Sequence, residues 1–216
     1  MNYRLIIRQL GFLVLGLSVV LLCVWLWSAI ALGFTKSGPL ALLWSAGISF
    51  VLGVVFCLNG KSRSNQQGIG AMGRREALLL VSMSWFTGAI ISSLPFLLWA
   101  RMDATEDHPF RSIINCFFEG MSGLTTTGAT ILADISTLPA PLLFWRAMIQ
   151  WLGGLGIVVL FVAVLPSLGV GGKKLFRVEA PGPEPESVRP NIRETARVLW
   201  VIYLCLTLVE IVAYKF

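Results

Sequence analysis

Long apolar runs alternate with short polar joints along this chain. A helix that crosses a hydrocarbon core of about 30 Å needs roughly 20 mostly apolar residues. Leu10 to Phe34, Leu40 to Leu58, Ala77 to Ala100 and Leu142 to Leu165 meet that requirement, and Val198 to Phe216 is just long enough. The first run exceeds the roughly 7 to 15 residues of a secretory signal core and no A-x-A site follows it, so it reads as a retained membrane helix. TKSGP joins the first two spans and predicts a tight hairpin, with Gly38 for the turn and Pro39 at a first helical position.

The joint between Ala100 and Leu142 breaks the pattern. It opens with a solvated loop, RMDATEDHP, holding Asp103, Glu106, Asp107 and His108. From Phe110 to Leu124, apolar residues at Ile113, Ile114, Phe117, Phe118 and Met121 follow a near-helical spacing. At 1.5 Å per residue this segment rises about 22 Å, enough to enter a bilayer but not to cross it. FFEGMSGLTTTGATIL, Phe117 to Leu132, then supplies threonines, a glycine and small residues that let the backbone run extended with its carbonyls free. In a membrane such backbone is tolerated only where protein buries it or it lines a water-filled path. In a soluble protein TTTGAT reads as a turn; between two spans it predicts a re-entrant pore loop.

Composition agrees with this pattern. Hydrophobic residues make up 56% of the 216, mean hydropathy is +0.79, and only 13% are charged, against about a quarter in soluble domains. This is a polytopic membrane protein. The net charge of +6 lies in clusters beside apolar spans without the aromatic interleaving of a nucleic-acid surface. With the N-terminus inside, the cytoplasmic face receives Arg4, Arg8, Lys61, Arg63, Arg74, Arg75, Lys173, Lys174, Arg177, Arg189, Arg193 and Arg197, twelve of the seventeen basic residues. Lys36, Arg101, Arg111, Arg146 and Lys215 fall outside. That split requires the stretch from Ala100 to Leu142 to leave and return on the outer side. Cys23, Cys57, Cys116 and Cys205 form no CxxC pair or Cys/His cluster and read as small buried hydrophobes.

A potassium ion sheds hydration water only where oxygens replace it, and a ring of backbone carbonyls from four converging segments does so. In Thr125-Thr126-Thr127-Gly128-Ala129-Thr130, Gly128 can take positive φ without penalty and let successive carbonyls face one way. The preceding half-helix would aim its negative C-terminal end at the pore, favouring a cation. Glu119 would hydrogen-bond behind the loop, attract cations or sit in a watery outer vestibule. Gly153, Gly154, Leu155 and Gly156 would let another backbone approach closely or else kink the helix, the former being favoured, and Trp145 and Arg146 predict interfacial anchoring with a snorkelling arginine. His108 reads as solvated rather than as a metal ligand. Glu210, in the last span, would pair with another helix or sit near the outer surface. The loop around EAPGPEPESVRP reads as a solvated linker. No intramembrane His or Asp pair, GxSxG, phosphate-binding glycine loop or metal spacing suggests an enzyme.

FFEGMSGLTTTGATIL, WLGGLGIVVLFVAVLP, LFRVEAPGP and IRETARVLW together resemble the TrkH-type potassium uptake proteins of the Trk/Ktr/HKT superfamily. The resemblance implies an all-α membrane fold: two leading transmembrane helices, one unit of span, pore helix, filter loop and span, and the first helix of a second unit. The corresponding segments are 1–75 for the leading hairpin and its cytoplasmic loop, 76–166 for the pore unit, 167–197 for a cytoplasmic loop and 198–216 for the last span. It also implies that Thr126, Thr127, Gly128 and Ala129 bind potassium through main-chain carbonyls, as one of four filter segments and with no cofactor. One quarter of a ring is not expected to conduct alone. The implied setting is a bacterial inner membrane with the N-terminus cytoplasmic. The implied partners are the lipid bilayer, the remaining pore units, a second copy in a homodimer and a cytoplasmic nucleotide-binding regulatory subunit, with no nucleic acid; the loop 171–197 offers that subunit a contact. Alternative readings are a homotetrameric cation channel with one pore loop per chain, and a non-conducting membrane scaffold.

Overall fold

The computed structural model describes residues 3–60, 74–164 and 192–214, and every regular element among them is helical. Six α-helices follow in order: α1 (Tyr3–Leu32), α2 (Ser37–Asn59), α3 (Arg74–Met102), α4 (Ile113–Leu124), α5 (Ala140–Val164) and α6 (Ile192–Ala213). Short 3-10 turns at Pro109–Arg111 and Ile135–Thr137 flank α4 and its loop. Tyr3–Leu32, Ser37–Asn59 and Leu78–Met102 are long and apolar enough to span a membrane. α5, with 25 residues, rises about 37 Å and is long enough too. α4, with 12 residues, rises about 18 Å and is not. α6 begins at Ile192, inside the stretch expected to be loop. The rest of that loop, including EAPGPEPESVRP, lies outside the described residues, as does the N-terminal part of the expected regulatory contact at 171–197.

The chain forms two compact units, Met1–Gly153 and Gly154–Phe216. In the first, α1 and α2 pack along each other, α3 lies against both, and α4 rests on α3. Lipid is as apolar as leucine, so close backbone approach and interhelical hydrogen bonds hold such helices together. A Cβ on Gly53 would stand 3.1 Å from the Leu15 amide nitrogen and 2.8 Å from the Leu15 side chain. Ser18 Oγ donates to Ala46 O across the same seam at 3.0 Å. Phe12, Val19, Trp44, Phe50 and Val51 face outward, as lipid-facing residues should.

The hairpin between α1 and α2 turns elsewhere than expected. Gly33, with φ +101°, takes the left-handed conformation after α1, and its amide donates to Ala29 O at 2.9 Å. Gly38 lies inside α2, where its missing side chain admits Pro141 at 3.2 Å from the Cβ it lacks. Ser37 Oγ donates to Asp103 Oδ2 at 2.6 Å and ties the hairpin to the end of α3.

Trp145 is fully buried instead of anchored at an interface. Its indole N–H donates to Ser92 O at 3.0 Å, in the turn before the buried Pro95 of α3, where proline interrupts the backbone ladder. Among the cysteines only Cys116 is buried, its thiol donating to Phe110 O at 3.0 Å; Cys23 and Cys205 are exposed on apolar helices. His108 is half-buried rather than fully solvated. Its Nδ1 accepts from the Phe110 amide at 3.1 Å, and its ring meets Trp99 edge-on with centroids 5.1 Å apart.

In the second unit, a Cβ on Gly154 would stand 2.7 Å from the Tyr203 hydroxyl. Thr207 Oγ1 donates to Tyr203 O at 2.8 Å along α6.

Candidate functional site

The buried face of α4 is made of Cys116, Glu119, Gly120 and Gly123, spaced i, i+3, i+4, i+7. The apolar stripe that marks the helix in the sequence faces the other way: Ile113 is 64% exposed, Ile114 78% and Phe118 44%. The period was legible in the sequence; the direction of the stripe was not. In water an apolar stripe points to the core, whereas in lipid it has no reason to. A Cβ on Gly120 would lie 2.7 Å from Ala89 O and 3.0 Å from the Ser93 amide nitrogen, so only glycine lets α4 sit this close to the α3 backbone.

α4 ends in a knot of hydrogen bonds that turns the chain into the threonine loop. The Thr125 amide donates to Met121 O at 2.8 Å, Thr126 N to Gly123 O at 3.0 Å and Thr127 N to Ser122 O at 3.0 Å. Ser122 Oγ reaches forward and donates to Ala129 O at 2.6 Å. Thr125 and Thr127 share a hydroxyl hydrogen bond at 2.8 Å. Positive φ occurs at Thr126 (59°) as well as at Gly128 (73°), with Thr127 and Ala129 on the negative side. In a regular strand carbonyls alternate sides; alternating handedness at successive residues turns them toward one side. The loop thus gathers Thr126, Thr127, Gly128 and Ala129 into one exposed segment at the end of a half-length helix.

Two of the four carbonyls also serve the protein. Ala129 O accepts from Ser122, and Gly128 O accepts from Arg146 Nη2 at 3.1 Å. Each carbonyl oxygen has a second lone pair for another partner. Behind the loop the Glu119 side chain is completely enclosed, and the Arg146 side chain is 14% exposed. Glu119 Oε1 accepts from Arg146 Nε at 2.5 Å, while Oε2 accepts from Thr130 Oγ1 at 3.0 Å and the Ile131 amide at 3.4 Å. Arg146 therefore does not snorkel. It points inward with Gln150 and Gly153, which share its stripe on α5 at i+4 and i+7. A Cβ on Gly153 would collide with Leu124 O, so α5 lies directly on the end of α4.

This pairing was missed in the sequence because each charge was weighed alone. The signal was present: a carboxylate at membrane depth needs a partner, and the neighbouring span offers one arginine near the same level. No cluster of three or more His, Cys, Asp or Glu able to hold a metal occurs among the described residues.

Residues 54–216 match the TrkH family, described as cation transport protein. The Trk system potassium uptake protein TrkH of Salmonella typhimurium is 38% identical over 96% of this chain and 40% of its own length. TrkH of Vibrio parahaemolyticus is 39% identical over 99% of this chain and 41% of its own. The crystal structure of the potassium transporter TrkH from Vibrio parahaemolyticus superposes with a TM-score of 0.73 at 32% identity, covering 97% of this chain and 38% of that one. The chain spans about two fifths of the length of these relatives. With residues 54–216 matching that family and relatives 38–39% identical along nearly all of its length, the chain belongs to the TrkH family of cation transport proteins.

Proposed function

We propose that residues 125–130 form one of four selectivity-filter segments of a potassium transporter, with Thr126, Thr127, Gly128 and Ala129 presenting main-chain carbonyls to the ion. The observation that carries this reading is the alternating sign of φ from Thr126 to Ala129 in an exposed loop, directly after a helix too short to cross the bilayer. The α4 C-terminus directs partial negative charge toward that loop and favours cations. Glu119 and Ser122 brace it from behind. The relatives named above are potassium uptake proteins, which supports potassium as the ion. No chemistry of bond making is proposed; the residues replace water around an ion and let it pass.

The same reading places the chain in a bacterial inner membrane with a cytoplasmic N-terminus. It has the complete transporter work as a homodimer with a cytoplasmic nucleotide-binding regulatory subunit, and one segment alone does not conduct. The test is a chimera in which residues 1–216 replace the equivalent part of Vibrio parahaemolyticus TrkH, expressed in cells lacking their own potassium uptake. Growth at low potassium is expected, with preference for potassium over sodium lost on Gly128→Ala. A chimera present in the membrane that takes up no potassium, or a Gly128→Ala variant with unaltered selectivity, overturns the reading.

A further inference from the structure

We propose that Arg146 and Glu119 act as a joint positioning pair for the loop: the guanidinium fixes the Gly128 carbonyl, and the carboxylate both orients that guanidinium and cancels its charge beside the cation path. This inference rests on the filter reading above and assigns what holds that segment in place.

One guanidinium makes both contacts. Arg146 Nε donates to Glu119 at 2.5 Å while Nη2 donates to Gly128 O at 3.1 Å. The planar fork of arginine fixes the angle between these two bonds, which lysine cannot reproduce. Glu119 in turn holds the far side of the loop through Thr130 and Ile131. The pair therefore grips the segment on both sides of Ala129 and joins it to α4 and α5 at once.

The charges matter separately from the geometry. An arginine hydrogen-bonded to a carbonyl of a cation-lining loop repels the cations that loop is meant to receive, unless an opposite charge lies against it. The Glu119 carboxylate, fully enclosed, meets that need. Without Arg146 that carboxylate is a buried charge with no counter-ion, and breaking one side of such a pair is far more damaging than replacing both.

These two roles predict different kinetics in the chimera described above. Glu119→Gln leaves the guanidinium uncompensated and raises the half-saturating potassium concentration by roughly tenfold. Arg146→Lys keeps the charge balance but loses the fork, so half-saturation stays near the parent value while potassium-over-sodium selectivity falls by roughly tenfold. Glu119→Gln with Arg146→Gln restores half-saturation toward the parent value and leaves selectivity low. Both quantities are independent of how much protein reaches the membrane, and Arg146→Lys provides the reading if the neutral variants are not produced. A merely structural pair would lower only the maximal rate, and that result overturns the proposal. If Gly128→Ala alters selectivity while Arg146→Lys and the double variant leave both quantities unchanged, this inference falls and the filter reading stands; if Gly128→Ala is silent as well, the filter reading falls first.

Discussion

Gly128 has room for a methyl group but not the backbone for one. The nearest neighbour to an added Cβ is Gln150 Nε2 at 3.7 Å, so Gly128→Ala meets no clash; its cost comes from φ +73°, about 1–2 kcal/mol for a left-handed L-residue. A melting curve of the purified chain should register that loss without other change in helicity. Glycine in the loop was legible because glycine is the usual solution for positive φ. Thr126, at φ 59°, was not, since β-branched residues rarely go there; hydrogen bonds from Thr126 and Thr127 back to α4 hold it. His108 was misread because its acidic neighbours in sequence gave no sign of the Trp99 and Phe110 rings it packs against. Desolvation by Trp99 and Phe110 lowers its pKa below the ordinary value of 6.5. The unfolded chain therefore binds the proton more readily, so stability is constant above about pH 6.5 and falls as the pH drops through that value toward the depressed folded pKa. The melting temperature is expected to drop from pH 7.5 to 5.5 in the parent and to drop less in His108→Asn.

Spans were the easiest elements to read, since length and hydropathy suffice for them. Their ends were harder: α4 starts at Ile113 and not Phe110, because Pro109 opens a 3-10 turn capped by His108, and α6 starts at Ile192. Which face of a helix meets which neighbour was least legible. In lipid the partner-facing stripe is marked by small and polar residues, such as Gly120 on α4, Gly153 on α5 and the Gly53 and Ser18 seam between α1 and α2. Gly53→Leu should force those two helices apart and destabilise the hairpin by about 1–3 kcal/mol, read as a lower melting temperature in detergent. Ile114→Ala, on the outward face of α4, should change it by much less. Equal effects would mean that packing across the seam does not stabilise the hairpin.

At the scale of the whole molecule, charge distribution predicts orientation and the fold explains two of its exceptions. Arg146 is counted outside by position, yet it is paired with Glu119 and presents little free charge to either side of the membrane. Arg111 is likewise occupied, donating to Thr105 O at 3.2 Å and Ala104 O at 2.9 Å. A cysteine at Lys36 should react with a membrane-impermeant maleimide added outside intact cells, and one at Arg4 only after the cells are opened; the reverse pattern would invert the proposed topology. The long apolar helices and the half-length helix between them were therefore readable in one dimension, whereas the Glu119–Arg146 contact joins positions 27 residues apart and required three.

That separation also sets an order of assembly. As the chain emerges during synthesis, α4 is complete before Arg146 exists, and its carboxylate has no counter-ion until the first two turns of α5 follow. The oily stripe of Ile113, Ile114 and Phe118 draws the half-helix toward lipid while its inner face is still unsettled. The loop can lock only once α5 arrives, so nascent chains halted before Arg146 should leave the threonine segment unbraced.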